Sequence, residues 1–101
     1  MKKISKVAIA LSIVSLAHCE EKVCRALVMS GGANKGAYTA GVIHGLSNIL
    51  NGTDAEYDVV SGVSAGALNA AGVAMWPKEK PKEMADWLVN FWREVYQGMI
   101  F

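Results

Sequence analysis

The chain has 101 residues, of which 52% are hydrophobic and 19% are charged. This length bounds the chain to one small domain, and this composition argues against wholesale disorder. The formal net charge is +1, but beyond Cys19 seven basic residues stand against nine acidic ones, so the body of the chain is near −2 and gives no electrostatic reason to expect nucleic acid as a partner.

The first nineteen residues have the composition of a secretory signal peptide. Three lysines within the first six residues precede an apolar run of eleven residues, 7–17, which is shorter than the roughly 20 residues that span a bilayer. Small residues lie near a cleavage point that we expect after Ala17 or Cys19. We therefore expect residues 1–19 to be a signal peptide and the protein to be secreted or to reside in the secretory-pathway lumen. The alternatives are an uncleaved anchor and a buried first helix.

The segment after the leader predicts a strand, a loop and a helix in turn. Residues 23–29 are mostly apolar and stop at a glycine-rich stretch, which is typical of a short buried strand. Residues 30–36, SGGANKG, form the loop. Residues 37–50 place apolar side chains three and four positions apart, which predicts an amphipathic helix that ends at Asn51–Gly52.

A second strand, turn and helix follow. Residues 57–61 predict a short strand, residues 62–66 a tight turn, and residues 67–76 a helix of small apolar residues that packs closely on a sheet. A charged linker, 77–81, is bounded by prolines and precedes a third helix over residues 82–97.

One face of the third helix is apolar, and it carries Met84, Trp87, Leu88, Phe91, Trp92 and Val95. The aromatic residues of this helix, Trp87, Phe91, Trp92 and Tyr96, leave two interpretations open. They cover the sheet as core, or they contact lipid at a membrane surface. The mixed charge of the polar face favours the core.

The order of these elements predicts an α/β fold, with a parallel sheet and flanking helices. In such sheets, catalytic groups gather beyond the carboxyl ends of the strands. Each of the two glycine-rich features follows a strand directly, so we expect both to lie at that edge of the sheet.

Gly62-Val-Ser64-Ala-Gly66 has the Gly-x-Ser-x-Gly pattern of a nucleophile elbow. A sharp turn from strand to helix exposes the serine hydroxyl and strains the backbone of Ser64, and the crowded chain around it requires Gly62 and Gly66 to lack bulk. The N-terminus of the helix starting near Ala65 favours developing negative charge. The alternative is a structural glycine turn, but the strand before it and the alanine-rich helix after it favour Ser64 as a nucleophile.

The loop of residues 30–36 is the second functional candidate. Successive glycines let backbone N–H groups converge on one point, as an oxyanion hole requires, and the same geometry suits a phosphate. The loop has neither a Walker A sequence nor Gly-x-Gly-x-x-Gly. The residues of the predicted oxyanion hole are Gly31, Gly32, Ala33 and Gly36.

Together the two motifs resemble the patatin-like phospholipase family, whose pattern is a strand, Gly-Gly-Gly-x-Arg/Lys-Gly, a helix, and a strand with Gly-x-Ser-x-Gly. Residues 31–38 and Gly41–Val42 follow the first block, and residues 58–68 follow the second, so the resemblance covers roughly residues 24–76. Ala33 stands where the family has its third glycine. Its N–H group survives, but alanine is strained there if the position needs a positive φ.

The resemblance implies a three-layer fold related to the α/β-hydrolases, of which residues 20–101 are the N-terminal portion. It also implies a lipid acyl hydrolase of the phospholipase A or esterase type, in which a Ser–Asp dyad acts on lipid or phospholipid acyl esters. Lys35 matches the family's basic position, where it braces the loop, meets a phosphate head group, or is simply a solvated surface lysine. No motif requires a metal or a cofactor.

The family's aspartate lies in Asp-Gly-Gly/Ala, well downstream of the serine. Asp54, Asp58 and Asp86 do not precede glycine, and Asp58 matches a family strand position instead. We therefore expect that the domain is incomplete in this chain, that the catalytic base is absent, and that the chain alone has little or no hydrolytic activity. Two other interpretations stay open, a non-catalytic lipid- or acyl-binding remnant and a nucleotide-binding strand–loop–helix module.

Two weaker signals complete the reading. Asn51-Gly-Thr53 is an N-glycosylation acceptor in a predicted turn, and the alternative is a plain helix-ending Asn-Gly. His44 has no neighbours with metal-ligand spacing, so a partly buried helix residue is favoured over a catalytic or metal-binding role.

Overall fold

A computed structural model describes residues 23–98, so the signal peptide predicted for residues 1–19 lies outside the described residues. The elements in chain order are β1 (Ala26–Met29), a 3₁₀ turn (Ala33–Lys35), α1 (Gly36–Ile49), a second 3₁₀ turn (Gly52–Ala55), β2 (Val59–Gly62), α2 (Ala65–Ala74) and α3 (Pro81–Gly98). The predicted α/β fold, a parallel sheet with flanking helices, is confirmed.

The two strands pair in parallel, with Ala26 beside Val59 and Met29 beside Gly62. Both strands therefore end at the same edge of the sheet, and α1 forms the crossover between them. The glycine loop leaves β1 at that edge, and the Ser64 turn leaves β2 beside it. The sequence prediction that both glycine features lie together is confirmed by this register.

The bounds of the elements differ from the prediction by one to three residues. β1 starts at Ala26 instead of residue 23, because Arg25 is engaged by Asp58: the Arg25 amide donates to Asp58 Oδ2 at 3.0 Å and the Asp58 amide donates to the Arg25 carbonyl at 2.8 Å. α2 starts at Ala65 instead of residue 67, because the turn before it is only two residues long. The 3₁₀ turn of Ala33–Lys35 inside the glycine loop was not predicted.

The hydrophobic core lies between the three helices and one face of the sheet. Leu27 and Val60 of the strands pack partly buried against the core, and Met29 is buried within it. The core prediction for α3 is confirmed for four residues that are at most 7% exposed, Met84, Leu88, Trp92 and Val95. Trp87 and Phe91 are partly buried against the same cluster, and their stacked rings have centroids 5.5 Å apart. The side chain of Tyr96 lies outside the described residues.

The other face of the sheet is open. Val28 is 75% exposed and Val59 is 52% exposed, although both are β-branched residues of a parallel sheet. Parallel sheets are normally covered by helices on both faces. Residues 23–98 thus form two of the three layers that the sequence resemblance implied. None of the helices in this range is both long and apolar enough to cross a bilayer.

Candidate active site

Ser64 forms the turn between β2 and α2, and its backbone has φ 55° and ψ −122°. This left-handed region is unfavourable for a residue with a side chain, and it is held here because both neighbouring elements are fixed. The residue is exposed, and its Oγ makes no hydrogen bond to any atom of residues 23–98. The turn therefore presents an accessible hydroxyl at the carboxyl edge of the sheet.

The two glycines around Ser64 allow the turn to close. A Cβ added to Gly62 would lie 2.0 Å from the Gly66 carbonyl oxygen, and one added to Gly66 would lie 2.4 Å from the Met29 carbonyl oxygen. The amide of Gly66 donates to Val63 O at 2.9 Å, and the amide of Val63 donates to Met29 O at 3.1 Å. The turn is thereby fastened both to itself and to the end of β1.

The glycine loop lies directly against Ser64. A Cβ added to Gly31 would lie 3.2 Å from Ser64 Cβ and 3.9 Å from Ser64 Oγ. Ala33 has φ 51°, so the alanine that replaces the family's third glycine does adopt the left-handed conformation. The conditional prediction of strain at this position therefore holds, and the loop carries a non-glycine residue in an unfavourable backbone region.

The amides of this loop fall into two groups. Within residues 23–98, the N–H groups of Gly31, Gly32 and Ala33 have no hydrogen-bond acceptor. By contrast, the Gly36 amide donates to Ala33 O, and the Lys35 amide donates to Gly32 O at 2.9 Å. The Gly36 N–H group is therefore occupied within the loop, which corrects its sequence-based assignment as an oxyanion donor.

Lys35 lies with its aliphatic stem along the loop. A Cβ added to Gly32 would meet Lys35 Cβ at 3.2 Å and Lys35 Cδ at 3.6 Å. The residue is exposed, and its ammonium group forms no salt bridge with the described part of the chain. The stem thus contacts the Gly32 backbone, while the charge faces solvent at the same edge of the sheet as Ser64.

Each aspartate of residues 23–98 is engaged away from Ser64. Asp58 precedes the N-terminal end of β2, where its carboxylate accepts hydrogen bonds from the Arg25 amide and from Lys78 Nζ, each at 3.0 Å. The Arg25 amide, followed by Lys78, lowers the pKa of the Asp58 carboxyl group, and the same contact raises the pKa of Lys78. Asp54 pairs with the Arg25 guanidinium group nearby.

The third aspartate, Asp86, pairs with His44. Asp86 Oδ1 lies 2.9 Å from His44 Nε2 and so links α3 to α1, and the other ring nitrogen of His44 lies 3.4 Å from Asn48 Nδ2. Across residues 23–98, no group of three or more His, Cys, Asp or Glu side chains has the arrangement of a metal site. None of the three carboxylates hydrogen-bonds to Ser64.

A cavity of about 390 Å³ lies at the opposite end of β2 from Ser64. Its lining includes Tyr57, Trp76 and Met84, together with the Asp58–Lys78 ion pair. Burial raises the pKa of the Tyr57 hydroxyl group. The cavity lies beside the N-terminal end of β2, whereas both glycine motifs meet at the opposite, carboxyl edge of the sheet.

Sequence reasoning missed Asn69, which is fully buried in α2. Its side chain hydrogen-bonds to the Gly36 carbonyl oxygen and to the Trp92 indole, and so it joins the end of the glycine loop to two helices. The available signal was a single amide residue within a run of small apolar ones, in a helix predicted to pack closely against other elements.

Asn51 is exposed and precedes the second 3₁₀ turn, so the predicted glycosylation acceptor has an accessible side chain. Its occupancy stays a prediction.

The family model described as patatin-like phospholipase matches residues 27–100, a range that starts at the second residue of β1 and includes the glycine loop, β2, Ser64 and α3. Neither a curated protein nor a solved structure matches the chain.

Proposed function

The chain belongs to the patatin-like phospholipase family, and from this premise we propose that it carries the nucleophile and oxyanion loop of a lipid acyl hydrolase. Membership of this family supports a lipid hydrolase in general terms, without naming its catalytic residues. The observation that carries the finer proposal is the contact between the two motifs, since Gly31 abuts Ser64 while the hydroxyl of Ser64 stays accessible.

In the proposed reaction, Ser64 Oγ attacks the carbonyl carbon of an acyl ester as its proton passes to a carboxylate base. The carbonyl electrons move to oxygen and form a tetrahedral oxyanion. When the oxyanion collapses, the bond to the alcohol oxygen breaks and the base returns the proton to that leaving group. Water then attacks the acyl-enzyme by the reverse sequence and releases the fatty acid and Ser64.

The amides of Gly31, Gly32 and Ala33 are the proposed oxyanion donors. None of these three amides has an acceptor among the described residues, and their loop contacts the nucleophile. Removal of one such donor typically lowers kcat by about 10²- to 10³-fold. The backbone at α2's N-terminus adds a favourable partial positive charge.

Lipid or phospholipid acyl esters are the proposed substrates. Val63, next to the nucleophile, is 70% exposed, which supports an apolar substrate approaching this edge. In this proposal the Lys35 ammonium group contacts the phosphate head group of a phospholipid substrate. Because such substrates reside in lipid aggregates, the protein would also contact a membrane surface.

The catalytic base of the proposed Ser–Asp dyad is not Asp54, Asp58 or Asp86. Asp54 and Asp58 are held at the N-terminal end of the sheet, and Asp86 is paired with His44. The proposal assigns the base to an Asp-Gly outside these 101 residues, and the open face of the sheet supports a domain that continues beyond them. The first test is the downstream coding sequence, where an Asp-Gly after a further strand is expected.

The second test compares the 101-residue chain with the chain extended by that downstream sequence. We expect the extended protein to hydrolyse a short-chain ester and to react with a fluorophosphonate at Ser64, and Ser64→Ala to abolish both. The 101-residue chain should show little or no turnover. Robust Ser64-dependent hydrolysis by the short chain would contradict the assignment of an external base.

The other interpretations give different outcomes in the same experiment. A lipid-binding remnant would bind acyl chains but would show neither turnover nor labelling in the extended protein. Nucleotide binding by calorimetry without labelling would favour the nucleotide-binding module.

The proposal also includes secretion after removal of residues 1–19. N-terminal sequencing of the mature protein checks this directly, because cleavage after Ala17 gives His18 and cleavage after Cys19 gives Glu20 as the first residue. An intact Met1 would contradict it. In a eukaryotic host, a mass shift removed by a glycosidase and by Asn51→Gln would establish glycan at Asn51.

A further inference from the structure

Asn69 lies on the helix that begins directly after Ser64, and its side chain reaches the end of the glycine loop. Its Nδ2 donates to the Gly36 carbonyl oxygen at 3.0 Å, and its Oδ1 accepts a hydrogen bond from Trp92 Nε1 at 2.6 Å. Asn69 is 0% exposed and Trp92 is 4% exposed, so both bonds are shielded from water.

The chemistry of the two partners fixes the orientation of the Asn69 amide. An indole N–H group can only donate, and a backbone carbonyl group can only accept, so the side-chain oxygen must face Trp92 and the side-chain nitrogen must face Gly36. Neither aspartate nor leucine can satisfy both partners. Leaving a buried polar group without its partner costs more free energy than the hydrogen bond itself contributes. The two bonds of Asn69 therefore favour a single arrangement of the three helices.

Packing around Gly36 tightens the same junction. A Cβ added to Gly36 would lie 2.3 Å from Trp92 Cζ2 and 3.0 Å from Ala65 Cβ. The first residue of α1 is therefore in contact with the Trp92 ring and lies next to the residue that follows the nucleophile. The end of the oxyanion loop, the start of α2 and the middle of α3 converge at this point.

We propose that Asn69, held by Trp92, is a positioning residue that sets the distance between the glycine loop and the helix that begins directly after Ser64. The inference rests on the proposed function, because the groups it positions are the proposed oxyanion amides of Gly31, Gly32 and Ala33. Asn69 touches neither the substrate nor the reacting atoms. It acts by holding the Gly36 carbonyl group, and thus the loop, in register with the nucleophile.

The first test uses the extended protein and the fluorophosphonate, whose phosphoryl oxygen occupies the oxyanion position when Ser64 reacts. Asn69→Ala is expected to lower the maximal inactivation rate by about 10- to 100-fold and to leave the half-saturating probe concentration unchanged, because small misplacements act on the transition state. Trp92→Phe should give a smaller decrease in the same rate, because Asn69 keeps its bond to Gly36.

Val73→Ala is the matched control. Val73 is a buried apolar residue of the same helix, 8% exposed, and its truncation destabilises the fold without removing a hydrogen bond to the loop. At a temperature where all variants are folded, this control should inactivate at the wild-type rate. If Asn69→Ala and Val73→Ala inactivate at the same maximal rate, the positioning role is wrong.

A second measurement separates this inference from the proposed function. Amide hydrogen exchange in the 101-residue chain should become faster at Lys35 and Gly36, the loop residues whose amides are hydrogen-bonded, in Asn69→Ala and stay at the wild-type level in Val73→Ala. Equal protection of the loop in both variants would overturn the inference, even in a chain that reacts with the fluorophosphonate. Absence of Ser64 labelling in the wild-type extended protein would overturn the proposed function, and the exchange result would then decide whether Asn69 holds the loop.

Discussion

At the scale of single residues, two positions of the candidate site hold left-handed backbone conformations with a side chain present. Ser64 has φ 55° and Ala33 has φ 51°. The two residues belong to different motifs, yet both lie at the carboxyl edge of the sheet. Strain of this kind persists where the surrounding structure determines the backbone, and it clusters at functional sites.

Ala33 allows this strain to be measured. A left-handed backbone conformation destabilises a non-glycine residue by roughly 1–2 kcal/mol. Replacing alanine by glycine removes that strain but costs about 0.4–1 kcal/mol, because glycine increases the entropy of the unfolded chain. Ala33→Gly should therefore leave the free energy of unfolding unchanged or raise it by up to about 1.6 kcal/mol. The matched control, Ala71→Gly at an exposed position of α2, should lower it by about 1 kcal/mol. Chemical denaturation measures both, and equal losses in the two variants would contradict the strain at Ala33.

Asp58 gives a prediction for the dependence of stability on pH. Its pKa is lowered in the folded state by the Arg25 amide and by Lys78, so its contribution to stability is present above the unfolded pKa of about 3.9 and is lost as pH falls through the folded value. Thermal unfolding between pH 6 and pH 2 should show a stability difference between wild type and Asp58→Asn that shrinks toward acid. A difference that is constant with pH would contradict this linkage. The contribution of Lys78 to stability depends on pH in the opposite direction. Because the pKa of Lys78 is raised in the folded state, its contribution is present at neutral pH and is lost as the pH becomes alkaline.

At the scale of elements, the turn at Ser64 depends on a backbone contact between α2 and β1. The glycine at the second position of α2 lies so close to the end of β1 that its added Cβ would be 2.4 Å from Met29 O and 2.6 Å from Ser30 O. These are backbone atoms, which cannot move aside without displacing the strand. The small side chains that begin α2 are therefore required by the approach of the helix to the sheet, beyond any preference of the helix itself.

Substitution of Gly66 by alanine tests that contact. Gly66→Ala should lower the free energy of unfolding by at least about 2 kcal/mol, because the new Cβ overlaps fixed backbone atoms. Gly45→Ala in α1 is the matched control. A Cβ there meets nothing within 4 Å, so the change should raise stability by about 0.5–1 kcal/mol. Denaturant titration of both variants checks the prediction, and a neutral Gly66→Ala would show that the helix can move away.

At the scale of the whole molecule, the sheet is covered on one face only. The open face carries Val28 and Val59, whereas Leu27 and Val60 on the other face pack against the helices. The same unevenness appears in α1, where Val42 and Ile49 are 45% and 73% exposed although their spacing predicted the apolar face of the helix. These exposed apolar residues agree with a domain that has further layers.

Val28 tests this interpretation across chain lengths. In the 101-residue chain, Val28→Thr should change stability by less than about 0.5 kcal/mol, because the side chain is 75% exposed. In the extended protein the same change should cost about 1–2 kcal/mol, since the side chain becomes buried and its hydroxyl group loses water. Leu88→Ala, at a fully buried site, should cost roughly 2–5 kcal/mol in both chains. An equal, small effect of Val28→Thr in both would contradict a further layer on this face.

The sequence by itself determined the class of fold, the order of the elements and the edge at which both glycine motifs meet. Those features follow from local signals, namely apolar periodicity, glycine breaks and the rule that parallel strands end together. The sequence also predicted the core face of α3, because one stripe of that helix is apolar from Met84 to Val95.

Only the tertiary structure decided which loop amides are without an acceptor, where the aspartates are engaged, and what Asn69 does. The Gly36 amide is occupied by Ala33 O, which depends on a 3₁₀ turn that glycine-rich sequence does not specify. Asn69 contacts residues 33 and 23 positions away along the chain, Gly36 and Trp92. Contacts at such separations arise when three helices pack at one point, and no local pattern of residues encodes that geometry.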